Sequence, residues 1–158
     1  EPSSDAAVRA VATLMECGGG SVTDLHDIRE IIEVEMAALA AKRVSERDKA
    51  ELLALIEEME ENREDHEAYI ETDLLFHLLL AKATDNGIFL LILEPIVGLM
   101  RQSRLAASRA PGSLERSLDG HKTICKAVVA GNEEEARAAM EKHLNEVRGR
   151  LEVVEASW

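Results

Sequence analysis

The sequence predicts an all-α fold, an antiparallel bundle of about six or seven helices, on three observations. Ala, Leu, Glu and Arg abound while only three prolines and 3% aromatics occur, so good helix formers dominate and β-rich runs are missing. Apolar residues recur at spacings of three and four through most of the chain. Short Gly, Asn, Asp and Pro clusters separate these segments, and such short connections set neighbouring helices antiparallel. With 158 residues, 46% of them apolar, the chain is long enough for one core with an internal pocket. Residues 1–158 therefore read as one domain, with 1–22 a linker and short first helix.

Taken in order, Ser4 is placed to cap a helix to about Met15, which Cys17-Gly18-Gly19-Gly20 breaks. A helix from Ser21 or Thr23 carries Leu25, Ile28, Ile32, Met36 and Leu39 as one buried stripe. Ser45-Glu46-Arg47-Asp48 resembles a capping box and opens a helix with Leu52, Leu53, Ile56 and Met59 inward. The next helix runs from about Asp65 to Thr84 and stops at Asp85-Asn86-Gly87. A long apolar helix follows from Ile88 towards Ser108, with Pro95 as its kink. Leu114 to Ala130 forms a further helix ending at Gly131. Asn132 caps the last, with Glu135 in the capping-box position.

Eighteen basic against 31 acidic residues give a formal net charge of −13, which repels phosphate backbones and excludes nucleic-acid binding by this chain alone. The acidic run from Glu57 to Asp65 reads as a solvated helix end. Cys17 and Cys125 fit no metal or redox spacing, which implies a reduced, cytoplasmic setting. No apolar run approaches a membrane span.

Four residues stand out against this apolar background. Ile70, Asp73, His77 and Leu80 share one face of a helix that is apolar nearly all round, so Asp73 and His77 point inward. A buried carboxylate costs several kcal/mol unless paired or bound to a cation. His143 sits within the inward stripe Ala136, Met140, Val147, Leu151 and Val154, and His121 shares a face with Ile124, Cys125 and Val128. His121 lies ten residues before Gly131 and His143 eleven after Asn132. At 1.5 Å per residue both are ~15–17 Å from the turn, and an antiparallel pair brings them level. Three imidazoles and one carboxylate suit Zn²⁺ first, then Ni²⁺, Mn²⁺, Co²⁺ or Fe²⁺, and not Ca²⁺ or Mg²⁺. A buried hydrogen-bonded cluster without metal fits the same pattern.

An ordered set of short segments carries a resemblance. Leu25 to Glu33 (LHDIREIIE) precedes Ala37-Ala38-Leu39-Ala40-Ala41. Then come Asp73-Leu74-Leu75-Phe76-His77, Ala83-Thr84-Asp85-Asn86, His121-Lys122-Thr123-Ile124, and Ala136 to Leu144. Together they resemble the FadR C-terminal (FCD) domain of GntR-type transcription regulators; Ser108 to Leu118 matches no family motif. The resemblance implies a helical bundle with a metal held by Asp73, His77, His121 and His143. It also implies a non-enzymatic, ligand-sensing role in a homodimer, and a separate N-terminal winged helix for DNA, which this chain lacks.

In that setting a divalent ion beside Asp73 leaves about one net positive charge, which attracts a small carboxylate effector. Arg29 is the first candidate to grip it, unless it forms an exposed pair with Glu33; Arg101 is the second. Asn86 is a further effector candidate, or simply serves its turn. His26 and His66 read as surface residues. The competing class is a helical-bundle metalloenzyme acting on a small acid, although paired Glu-x-x-His and His-Glu-x-x-His motifs are both absent.

Overall fold

The computed structural model describes residues 4–155 and consists of helices joined by short turns. In chain order they are α1 (Ser4–Glu16), α2 (Val22–Arg43), α3 (Glu46–Glu61), α4 (His66–Ala83), α5 (Gly87–Leu99), α6 (Arg101–Ser108), α7 (Ser113–Val129) and α8 (Glu133–Glu155). The all-α expectation holds. The Ser4 side-chain cap expected for α1 lies outside the described side chains.

Local chemistry sets the boundaries. Ser21 caps α2 in a reciprocal box: its Oγ accepts from the Asp24 N–H at 3.1 Å and its own N–H donates to Asp24 Oδ2 at 2.7 Å. Ser45 and Asp65 accept from Asp48 and Ala68 N–H groups at the starts of α3 and α4. Gly131, at φ +71°, closes α7: its N–H donates to Val128 and the Asn132 N–H to Ala127. That second bond uses the N–H a full capping box would need, so Asn132 caps α8 only through its side chain, accepting from Glu135 at 3.1 Å.

The helix expected over 88–108 is two. α5 continues through Pro95, and the chain turns at Met100 into α6. The cause is tertiary: α5 packs on α1 and α4, whereas α6 lies against α8 and α4. Among the described residues this break yields eight helices instead of six or seven.

α4 lies at the centre, touching α2, α3, α5 and α6, while α8 packs on α2, α6 and α7. The main core gathers Met36, Leu52, Met59, Phe76, Leu80, Leu93, Ile124, Met140 and Leu144, all fully buried. Each contributes about 1.5–3 kcal/mol of burial. A smaller cluster of Leu25, Ile96, Met100, Val147 and Leu151 seals the α1 end.

The inner face of α2 departs in part from the stripe the apolar spacing predicted: Leu25 and Met36 are buried as expected, and Ile32 and Leu39 are half-buried. Ile28 is 43% exposed, while His26, Arg29 and Glu33 are fully buried with Met36, Ala37 and Ala40. Small alanines admit the close approach of α8 and α4, and the polar residues are buried because they find partners there. In α3, Leu53 likewise faces out, whereas Leu52 and Met59 are buried. Among the described residues no helix is long and apolar enough to cross a membrane.

Candidate metal centre

Three helices deliver the four predicted side chains to one place. Asp73 and His77 stand one turn apart on α4, His121 comes from α7 and His143 from α8, and all are at most 1% exposed. Their ligating atoms lie within 4.8 Å of one another. The His121 and His143 rings, level as the count from the turn implied, have centroids 4.4 Å apart. Gly120 permits this: a Cβ there would stand 2.6 Å from His143 Nδ1. His143 also lines a recess of about 170 Å³ between α7 and α8.

Outer partners orient the rings. His121 Nδ1 donates to the Ser117 carbonyl at 2.7 Å, and His77 Nδ1 donates to Glu33 Oε2. A carbonyl or carboxylate only accepts, so both protons sit on Nδ1 and both Nε2 lone pairs turn inward. Burial, with His77 beside it, pushes His121 well below its ordinary pKa, and burial with His121 and His77 does the same to His143. The His121 and His143 rings are therefore neutral at pH 7. His121 Nε2 then faces Asp73 Oδ1 at 2.6 Å, two lone-pair bearers in van der Waals conflict unless a positive charge lies between them. Asp73 Oδ1, both His143 nitrogens and the Nε2 atoms of His77 and His121 are buried without a hydrogen bond, and Asp73 Oδ2 meets the guanidinium of Arg104.

Two buried guanidiniums flank this group. Arg29, 0% exposed, pairs through Nε with Glu33 Oε1, while its two terminal nitrogens have no hydrogen-bond partner. The Arg29–Glu33 pair is thus real but buried. Burial opposes the Glu33 charge, yet Arg29 and His77 outweigh it and hold the carboxyl well below the usual carboxylate range. Arg104, from α6, forms an ion pair with Asp73 Oδ2 and leaves Nη1 unpartnered. Burial, with Arg29 nearby, pushes Arg104 well below its ordinary value. Arginine keeps its proton in proteins, so Arg104 is a buried cation paired with Asp73 that keeps one terminal amino group without a hydrogen bond.

Other candidates lie elsewhere. Arg101 is half-buried on the outside of α6, paired with Glu71. Asn86 accepts from the Ile88 N–H at 3.2 Å, capping α5. His26 is fully buried rather than superficial: its Nε2 donates to the Leu144 carbonyl at 2.9 Å, and burial lowers its pKa to about 4. His66 is half-buried against Ser108.

Glu33 and Arg104 escaped sequence reasoning. For Glu33 a signal existed, since His26, Arg29, Glu33, Ala37 and Ala40 recur at helical spacing with small residues in phase. For Arg104 none did, because its direction depends on the turn at Met100.

Comparisons with known proteins show the family and the fold. Residues 24–146 match the model of the FCD domain. The chain is 32% identical over 131 residues to the HTH-type transcriptional regulator LutR of Bacillus subtilis, covering 80% of this chain and 60% of that protein. It is 28% identical to the Uxu operon regulator of Haemophilus influenzae, covering 81% and 50% respectively. The chain thus spans about half to three-fifths of the length of these relatives. Among solved structures, Streptococcus agalactiae GntR superposes with a TM-score of 0.68 at 26% identity, covering 81% of this chain and 58% of that one. The chain belongs to the FCD domain family, the helical domain of GntR-type transcription regulators.

Proposed function

We propose that this domain binds one first-row divalent metal through Asp73, His77, His121 and His143, and senses a small carboxylate effector beside it. Zn²⁺ suits the three-nitrogen, one-oxygen donor set first, with Ni²⁺, Mn²⁺, Co²⁺ and Fe²⁺ as alternatives. The observation that carries the proposal is the convergence of buried, unmatched ligating atoms on one point. Such atoms cost about 1–3 kcal/mol each when left unsatisfied, more when charged.

A bound divalent cation supplies fixed positive charge to which a carboxylate oxygen is drawn. The chain's own residues do the rest. Glu33 and the Ser117 carbonyl hold two imidazoles in the tautomer that presents Nε2 inward. Arg29 offers two free terminal amino groups, a fork suited to a carboxylate. Arg29 reaches from α2, Arg104 from α6 and His143 from α8, so an acid held among them ties these helices together. In a full-length cytoplasmic homodimer, that change biases the placement of N-terminal DNA-binding domains. Arg101 and Asn86 are better assigned to the α6 surface and the α5 cap than to the effector.

Elemental analysis with native mass spectrometry on tag-free protein, purified without added metal, tests the centre. About one equivalent of a first-row ion per chain is expected, lost in Asp73→Asn and His143→Ala. Metal-replete protein that retains no ion would refute it. Operator affinity of the full-length regulator that ignores every small carboxylate would remove the sensing role.

A further inference from the structure

The four residues of the cluster differ in what holds them from behind. Asp73 Oδ2 meets the guanidinium of Arg104, His77 Nδ1 donates to Glu33, and His121 Nδ1 donates to the Ser117 carbonyl. His143, 1% exposed, has a hydrogen bond at neither ring nitrogen. Its Nδ1 edge lies over Gly120, where a Cβ would stand 2.6 Å away. Outer partners fix the orientation of a metal-binding imidazole, so the ring without one is the freest to turn.

Both His143 and Gly120 line the recess between α7 and α8. Asp119, Arg116, Lys142 and Glu146 share its walls, and Asp119 and Lys142 are exposed, so it opens at the surface. Its volume of about 170 Å³ admits several waters, and so an ion that still carries part of its hydration shell. Arg116 is engaged at the turn before α7, where its Nη2 donates to the Pro111 carbonyl. Among the described residues the Asp119 and Glu146 carboxylates accept no hydrogen bond and form no ion pair, which leaves both free to meet a cation.

We propose that this recess is the port through which a divalent ion reaches and leaves the four-residue centre. Asp119 and Glu146 draw the cation in, and the His143 ring turns aside and closes behind it. This rests on the metal centre proposed above and adds how the ion passes. Asp73, His77 and His121 are 0% exposed and held from outside the cluster, so passage by way of His143 disturbs the fewest bonds. Gly120 leaves the ring room to turn, since a side chain there would meet Nδ1.

The test follows Co²⁺ by its visible absorption as it enters the metal-free 158-residue protein and as a chelator removes it. Thr123, exposed on the recess wall, is replaced by Trp to narrow the opening. Thr123→Trp should slow uptake and release together by about tenfold and hold the equilibrium affinity within about twofold, because a narrowed passage raises one barrier crossed in both directions. Asp119→Asn with Glu146→Gln should slow uptake by about tenfold at low salt. Glu57→Gln with Glu61→Gln, which removes the same charge from the exposed end of α3, should not. In protein carrying ¹⁵N-histidine and Zn²⁺, the His143 ring signals should broaden by exchange while those of His77 and His121 stay sharp. Unaltered rates in Thr123→Trp, or a weaker affinity with unaltered release, would overturn the port. Equal slowing by the two charge pairs would overturn the part given to Asp119 and Glu146, and equal broadening of the three histidines would overturn His143 as the ligand that moves. Wild-type protein that takes up no Co²⁺ would overturn the centre itself together with its port.

Discussion

The interior of this bundle has two halves that obey different rules, and α4 contributes to both. On one side Phe76 and Leu80 pack with Met36, Leu52, Met140 and Leu144 in a fully buried apolar cluster. On the other, Asp73 and His77 meet Glu33, Arg104, His121 and His143, equally buried but with unmatched polar atoms. The first half is complete with what the chain provides. The second keeps buried polar atoms that the chain itself leaves unmatched, the atoms the proposed cation and effector would meet. A single helix can therefore anchor the fold and carry the candidate site, because different faces of α4 meet different neighbours.

The comparison is broken most forcefully by Leu52→Ala. Removing this fully buried side chain of α3 should cost about 2–5 kcal/mol, and the same amount with or without a chelator, measured by urea unfolding. A chelator-dependent loss would mean the two halves are coupled.

His26 probes the polar half by pH. Its pKa is lowered to about 4 by burial, against 6.5 for the free side chain. The neutral form is thus the folded form, and its contribution is present above pH 6.5 and lost as pH falls towards 4. Each unit of the shift corresponds to about 1.4 kcal/mol. In chelator, the stability advantage of wild type over His26→Gln should shrink between pH 7 and pH 4.5. An advantage that grows on acidification would reverse the assignment.

Metal removal sharpens the contrast further. At a free ion concentration of 100 times Kd, binding to the native state alone adds about 2.7 kcal/mol. EDTA should lower the thermal midpoint of wild type and leave that of Asp73→Asn in place.

The smallest expected effect is at Gly120. The Cβ of Gly120→Ala collides with His143 Nδ1, so the ring must shift. Metal affinity should fall about tenfold or more, the scale of losing an orienting contact, while unfolding in chelator changes little. Unaltered affinity would show that His143 finds its position without the glycine.

Much of this was legible before any coordinates. The inward direction of Asp73 and His77 follows from the period of α4, and the level placement of His121 and His143 follows from counting residues either side of a tight turn. Both depend only on helix geometry and a short connection. α2 misled, because apolar spacing selected Ile28, whereas alanines and paired polar residues hold the inner face. Burial of a charged residue depends on partners from other helices, which a one-dimensional pattern does not contain.

The amino-acid order alone thus determined the helical class, the helix ends set by caps and glycines, and four side chains that belong together. Tertiary structure decided the rest: the turn at Met100 that aims Arg104 inward and leaves Arg101 outside, and the burial of Arg29 and Glu33 against His77. The division has one physical cause. Hydrogen bonds between near neighbours and a fixed rise per residue act along the chain, but the direction a helix face takes is chosen by the helices packed against it.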